Sequence, residues 1–254
     1  MTFHELGNPA GETIVLLHPS ATMWDYFELV NPYLKDQFHL VIPALPGYDE
    51  NHPEEDFTSV EQVARDIEDW LLEHGKQQIS GIYGCSMGGS VVILMLASGR
   101  VKISSAYIDG GITPYQLPWI VTRFIAIKDW CLLMTGKLGG RRLLAKAFAA
   151  GETTDQDLAY IERVLRFMSS RTIWRTFESC NNYAMPDGMV ETDCHIIYSY
   201  GDGEAAERKD DIAYVKGKFP HAQFRIQPNI GHGMMAASRP EDLARQITDN
   251  VKGE

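Results

Sequence analysis

The sequence predicts an α/β fold: a mostly parallel central sheet flanked by helices on both faces, interrupted by a wholly helical insertion. Three observations carry that reading. Short apolar runs alternate with helical patterns along most of the chain. Residues 114–186 break the alternation and hold helical patterns alone. Gly84-Cys85-Ser86-Met87-Gly88 lies where an apolar run meets a helical one, the setting of a sharp strand-to-helix turn.

In chain order, residues 2–6 read as an edge strand followed by a Gly-Asn-Pro-Ala-Gly turn. Residues 13–17 (TIVLL) are continuously apolar, as expected for a strand covered on both faces. A helical pattern at 24–34, a strand at 38–42 and a helix at 60–73 follow. Residues 79–83 form the apolar run before the turn, and 90–97 (SVVILMLA) read as a buried helix after it. A strand at 105–108 precedes the insertion. Within the insertion, Thr154-Asp155-Gln156-Asp157 has the pattern of a capping box opening a helix that runs through Leu165. Strands at 195–200 and 223–226 and helices at 206–219 and 240–251 complete the chain. The expected division is an α/β core of residues 1–113 and 187–254 and a helical cap, or lid, of residues 114–186.

Composition narrows the function classes. Hydrophobic content of 44% and charged content of 22% suit a folded globular domain. Net charge is −11, from 23 basic and 34 acidic side chains, with no extended basic cluster. Neither phosphate-backbone binding nor anchoring to an anionic membrane is expected. The start Met-Thr-Phe-His-Glu has no basic and apolar leader pattern, so no secretion signal is read. The most apolar long stretch, 118–134, is broken by Arg123, Lys128 and Asp129, which argues against a membrane span. Cys85, Cys131, Cys180 and Cys194 form no CxxC pair and suit a reducing cytoplasm.

Ser86 sits at the centre of a G-x-S-x-G motif, the nucleophile elbow, which lifts a hydroxyl above the end of a strand. A serine hydroxyl is a weak nucleophile at its own pKa, so it needs a base and a group that orients the base. In the chain order Ser, acid, His, the base comes after the last strand. His232, in Asn-Ile-Gly-His-Gly-Met, follows the 223–226 run, and its flanking glycines let the loop bring the imidazole over Ser86. His4, His39, His52, His74, His195 and His221 read as surface or strand-edge residues. The Met87 N–H, at the start of the helix after the nucleophile, is placed to meet a developing oxyanion.

With the elbow, Leu16-Leu17-His18-Pro19 and Gly231-His232-Gly233, the chain resembles the α/β-hydrolase superfamily of serine hydrolases. The likeness is to its capped, cofactor-free branch of small esterases and C–C bond hydrolases, and it runs from residue 13 to the final helix. It implies the α/β-hydrolase fold, a Ser-acid-His triad, an oxyanion hole and a pocket beneath a helical cap inserted after the strand ending near Asp109. The family's G-x-x-[DE] at the end of a late strand matches Gly201-Asp202-Gly203-Glu204 and so puts the acid at Glu204, with Asp202 on the same turn and Asp109 as alternatives. The family's second oxyanion donor follows a His-Gly pair; here His18-Pro19 puts Ser20 in that place, and proline removes the N–H at 19 but not at 20.

The function expected is hydrolysis of an ester or related acyl bond of a small to medium substrate, carboxylesterase-like. A C–C hydrolase, thioesterase or lyase on the same triad, and a receptor-like binding protein with little turnover, stand as alternatives. No cofactor and no metal are expected, since no HExxH, EF-hand, cysteine cluster or phosphate loop is present; Gly136–Gly140 (GKLGG) lacks the strand and spacing of one. The expected partner is a small-molecule substrate, with a homodimer left open. Cys85 reads as a small buried apolar group. Trp119, Phe124, Trp130, Phe148, Phe167, Trp174 and Phe177 read as packing the cap on the core, some of them lining a pocket.

Overall fold

Parallel strands sheathed by helices must be apolar on both faces, and the runs read above become the strands of one sheet. The computed structural model describes residues 1–114, 117–147 and 154–253. The strands are β1 (Thr2–Gly7), β2 (Glu12–Leu17), β3 (Phe38–Ala44), β4 (Gln78–Cys85), β5 (Lys102–Asp109), β6 (His195–Gly201) and β7 (Gln223–Gln227). They form a seven-stranded sheet in the order β1-β3-β2-β4-β5-β6-β7. Only β1, at the edge, is antiparallel; the other pairings are parallel.

The helices of the core are α1 (Asn31–Leu34), α2 (Val60–Glu73), α3 (Met87–Ser98), α8 (Lys209–Lys218), α9 (Met235–Ser238) and α10 (Pro240–Lys252). Alternation along β2 sends Ile14 and Leu16 into one core with Leu40, Ile42 and Leu243. Val15 and Leu17 face the other, with Val41, Val63, Ile67 and Val91. α3 is buried along most of its length, as its apolar sequence requires.

The helix read at 24–34 is not continuous. Trp24–Phe27 is a single 3-10 turn, and α1 starts afresh at Asn31. Pro32 has no N–H to donate to an upstream turn, so it is accommodated only in the first turn of a new helix. The helix read from 206 starts later, at Lys209, because Glu204 O first accepts the N–H groups of Glu207 and Arg208, both at 3.0 Å, in a tight turn.

Between β5 and β6 the described insertion holds α4 (Trp119–Gly139), α5 (Arg141–Ala147), α6 (Asp155–Phe167) and α7 (Ser170–Cys180). Thr154 and Asp157 form the capping box that opens α6. Side chains of α7 satisfy core backbone donors: Phe57 N–H bonds to Thr172 Oγ1 at 3.1 Å and Val60 N–H to Ser179 Oγ at 2.7 Å. Tyr160 of α6 accepts Met23 N–H at 3.0 Å and bonds to Asp25. Trp130, Phe167 and Phe177 pack partly buried against the core. Trp119 and Phe124 do not: they are 64% and 68% exposed, and Trp119 instead carries the Arg123 guanidinium 4.7 Å from its ring. Trp174 is half-buried in a shallow groove with Ile127 and Trp130. Phe148 lies outside the described residues. Among the described residues no helix is long and apolar enough to cross a membrane.

Candidate active site

The chain leaves β2 toward β3 on one side and returns to β4 on the other, so the C-terminal ends of β2 and β4 flank a topological switch point, where open α/β sheets bind ligands. Ser86 stands there, between β4 and α3, with φ +52° and ψ −113°. That conformation is rare for a residue with a Cβ and marks local strain. It is held from both sides. Ser86 N–H donates to Asp109 O at 2.9 Å, and Ser86 O accepts the N–H of Ser90 at 3.2 Å and of Ile112 at 3.4 Å. The flanking glycines are required by close approach: a Cβ on Gly84 would lie 2.4 Å from Gly88 O, and one on Gly88 would lie 2.4 Å from Leu17 O.

His232 arrives on the loop after β7. Tyr26 donates its hydroxyl to Gly233 O at 2.7 Å, and Asp202 accepts Asn229 N–H at 3.0 Å, so the loop is pinned on both sides of the histidine. The imidazole packs on Gly110, where a Cβ would lie 2.9 Å from its ring, one residue beyond the carbonyl that holds Ser86 N–H. His232 Nδ1 is 2.6 Å from Glu204 Oε2. Among the described residues no hydrogen bond joins the Ser86 hydroxyl to the imidazole, whose bond is to Glu204. Glu204 is buried, and Gly201 N–H donates to its other oxygen at 3.0 Å. Burial alone would raise its pKa, but His232 and the Gly201 amide outweigh that and hold the carboxyl below its usual range.

Two backbone N–H groups, of Ser20 and Met87, are expected to face the reacting carbonyl. Pro19 O accepts from His18 Nδ1 at 2.9 Å and from Thr22 Oγ1 at 2.8 Å. A trans peptide points its N–H opposite to its C=O, so tying down Pro19 O aims the Ser20 N–H the other way. Pro19 O can only accept, so His18 Nδ1 carries the proton, and burial pushes the ring's pKa down to about 4 and keeps it neutral. Ala21, next in the chain, is held at φ +59°. The Met87 N–H is the first of α3 and has no partner within the helix. Among the described residues neither amide donates to a backbone carbonyl.

The model of the alpha/beta hydrolase family matches residues 14–246. The chain belongs to that family. Solved structures agree on the fold. An alpha/beta hydrolase family protein from Desulfitobacterium hafniense matches with a TM-score of 0.76 at 23% identity, over 98% of this chain and 99% of its own. An esterase from Exiguobacterium antarcticum matches with a TM-score of 0.76 at 15% identity, over 98% and 94%. A thermophilic esterase from Thermogutta terrifontis matches with a TM-score of 0.74 at 16% identity, over 99% and 93%. No curated protein matches the sequence. Membership of this family supports a hydrolytic activity.

Of the three carboxylates weighed for the acid in this alpha/beta hydrolase, only Glu204 touches His232. Asp202 is spent on Asn229 N–H, and that bond chiefly holds its pKa below the usual range. Asp109 is buried, accepts the Tyr83 hydroxyl at 2.8 Å, and has its pKa pushed up to about 6 by burial. Sequence reading missed Tyr26, Tyr83 and, above all, Arg208. Arg208 stands four residues after Glu204 and three before Asp211, a helical spacing of alternating charge that could have singled it out. Cys85 is fully buried with its thiol pKa raised by burial. Among the described residues no group of His, Cys, Asp or Glu is placed to hold a metal ion.

Proposed function

We propose that the protein is a serine hydrolase that cleaves an ester or related acyl bond of a small to medium substrate through an acyl-enzyme, with residues 114–186 serving as a cap over the site. The observation that carries this reading is the His232–Glu204 pair, 2.6 Å apart, formed between the loop after β7 and the turn after β6, with the His232 ring against Gly110 and the strained Ser86 held by Asp109 O. A carboxylate cannot donate, so Nδ1 carries the proton and Nε2 keeps a lone pair for the serine. His232 takes the hydroxyl proton as Ser86 Oγ bonds to the acyl carbon. The carbonyl oxygen gains the charge and meets the Ser20 and Met87 N–H groups. Glu204 faces the imidazolium, which passes its proton to the leaving alcohol. Water then repeats the sequence on the acyl-enzyme, releasing the acid and restoring Ser86.

A fluorophosphonate probe with peptide mapping, beside p-nitrophenyl esters of graded chain length, tests the reading. Labelling confined to Ser86, turnover on at least one ester, and loss of both in Ser86→Ala are expected. An unlabelled Ser86 and no turnover at any chain length would overturn it.

A further inference from the structure

Behind the acid lies a buried arginine. The Arg208 side chain is 17% exposed, with Nε 3.5 Å from Glu204 Oε2 and Nη1 3.0 Å from Asp211 Oδ2. Both nitrogens are buried, and neither makes an aligned hydrogen bond among the described residues. A buried guanidinium that makes ion-pair contacts without hydrogen-bond alignment acts mainly as a charge. Asp211, 1% exposed, turns its other oxygen to Thr113, accepting the backbone N–H and the hydroxyl, both at 2.8 Å.

Thr113 belongs to the segment leading from β5 into the insertion. That segment is fixed at each step: Gly110 against the His232 ring, Gly111 O by the Tyr198 hydroxyl at 2.7 Å, and Ile112 O by the Tyr183 hydroxyl at 2.8 Å. Tyr183 stands just past α7, where the chain returns from the insertion. The row His232, Glu204, Arg208, Asp211, Thr113 therefore runs from the imidazole to the stem of the insertion through alternating charges.

We infer that Arg208 is a positioning residue: its guanidinium, set between Glu204 and Asp211, fixes the triad acid and couples it to the Thr113 stem of the insertion. The inference rests on the proposed role of Glu204 in the triad. The charged and titratable groups around the pair are Cys85 of β4, Asp109 of β5, Tyr198 of β6, Glu207 just before α8, Asp211 in α8, Asp129 of α4, and His232 itself. Four of these are carboxylic acids, and Arg208 is the cation in contact with two carboxylates, Glu204 and Asp211.

The test measures kcat/KM on the best ester, and the rate of fluorophosphonate labelling at Ser86, from about pH 5 to 9 in wild type, Arg208→Met, Arg208→Lys and Asp211→Asn. The acid-side limb reports the protonation that silences the site. Removing a neighbouring cation makes that proton easier to add. Arg208→Met should therefore move the limb to higher pH by about half a unit or more and lower the plateau at least about tenfold. Asp211→Asn removes an anion and should move the limb the opposite way. Arg208→Lys keeps the charge and should leave the limb in place. Hydrogen exchange at the Thr113 amide should quicken in Arg208→Met, although Arg208 makes no hydrogen bond to it.

A loss of activity in these variants with an unmoved limb would make Arg208 a structural residue only and overturn the inference. Should Arg208→Met fail to fold, Asp211→Asn and Arg208→Lys decide, and a limb that stays in the first or shifts in the second overturns it. An unlabelled Ser86 in wild type would instead strike the hydrolase reading, before any variant is compared.

Discussion

His232 Nδ1 lies 2.6 Å from Glu204 Oε2, and this contact decides which nitrogen of the imidazole is free. Glu204→Gln keeps the shape but offers an uncharged amide, which no longer enforces one tautomer or balances an imidazolium. Its kcat should fall by about two to four orders of magnitude. Asp202→Asn perturbs bonds to loop amides, chiefly Asn229 N–H, and should change kcat less than about threefold. Steady-state kinetics on one ester separate the two. The reverse ordering would move the acid role to Asp202.

Ser86 is held at φ +52° and ψ −113°, a region that costs a residue with a Cβ about 1–3 kcal/mol. Ser86→Ala and Ser86→Gly both delete the hydroxyl, and each should lower kcat by about three orders of magnitude or more. They part in stability. Alanine keeps the Cβ and its strain, whereas glycine relieves it at the smaller cost of a looser unfolded chain. Thermal melting should place Ser86→Gly about 2–4 °C above Ser86→Ala. Equal melting temperatures would mean that the elbow stores no strain.

How much of this was legible follows from where each signal resides. Strands β2 to β6 could be read because burial leaves largely apolar runs in one dimension; β7, at the sheet edge, is half-exposed and has only a short mixed run. The Ser86 turn and the His232 loop could be read because the elbow and the glycines flanking the histidine are local requirements. The break at Pro32 was missed because apolar periodicity is blind to a missing N–H. Arg208 and Asp211 pass for a solvated helix start; their meaning comes from burial and from a contact with Thr113 made 98 residues away in sequence. Trp119 and Phe124 are ordinary core residues by type, and only the packing of α4 leaves them exposed.

Gly88 tests the elbow by sterics alone. A Cβ there would meet Leu17 O at 2.4 Å and Leu17 C at 2.8 Å, both backbone atoms of a central strand that cannot yield cheaply. Gly88→Ala should destabilise by about 3 kcal/mol or more in urea unfolding. Gly217, within α8, has nothing within 4 Å of the same added atom, so Gly217→Ala should stabilise by about 0.5–1 kcal/mol through helix preference. The opposite signs, measured side by side, separate close approach from a general effect of replacing glycine. A mild Gly88→Ala would show that the strand-to-helix turn has room to spare.

Asp109 makes stability depend on pH in the direction opposite to most carboxylates. It is 4% exposed, and burial pushes its pKa up to about 6, with the Tyr83 hydroxyl, 2.8 Å away, opposing part of that rise. An unfolded aspartate releases its proton near pH ~4. Between those values the native protein holds the extra proton, so stability falls as pH rises through the window, by about 3 kcal/mol in total. Asparagine at 109 still accepts from Tyr83 and has no proton to lose. The melting temperature of Asp109→Asn relative to wild type should therefore climb by roughly 5–10 °C between about pH 4 and pH 7. Glu204, with its folded-state pKa lowered, contributes stability that is lost as pH falls, but it does so in both proteins and largely cancels in the difference. A difference that stayed flat across that range would mean that Asp109 ionises as an ordinary aspartate despite its burial.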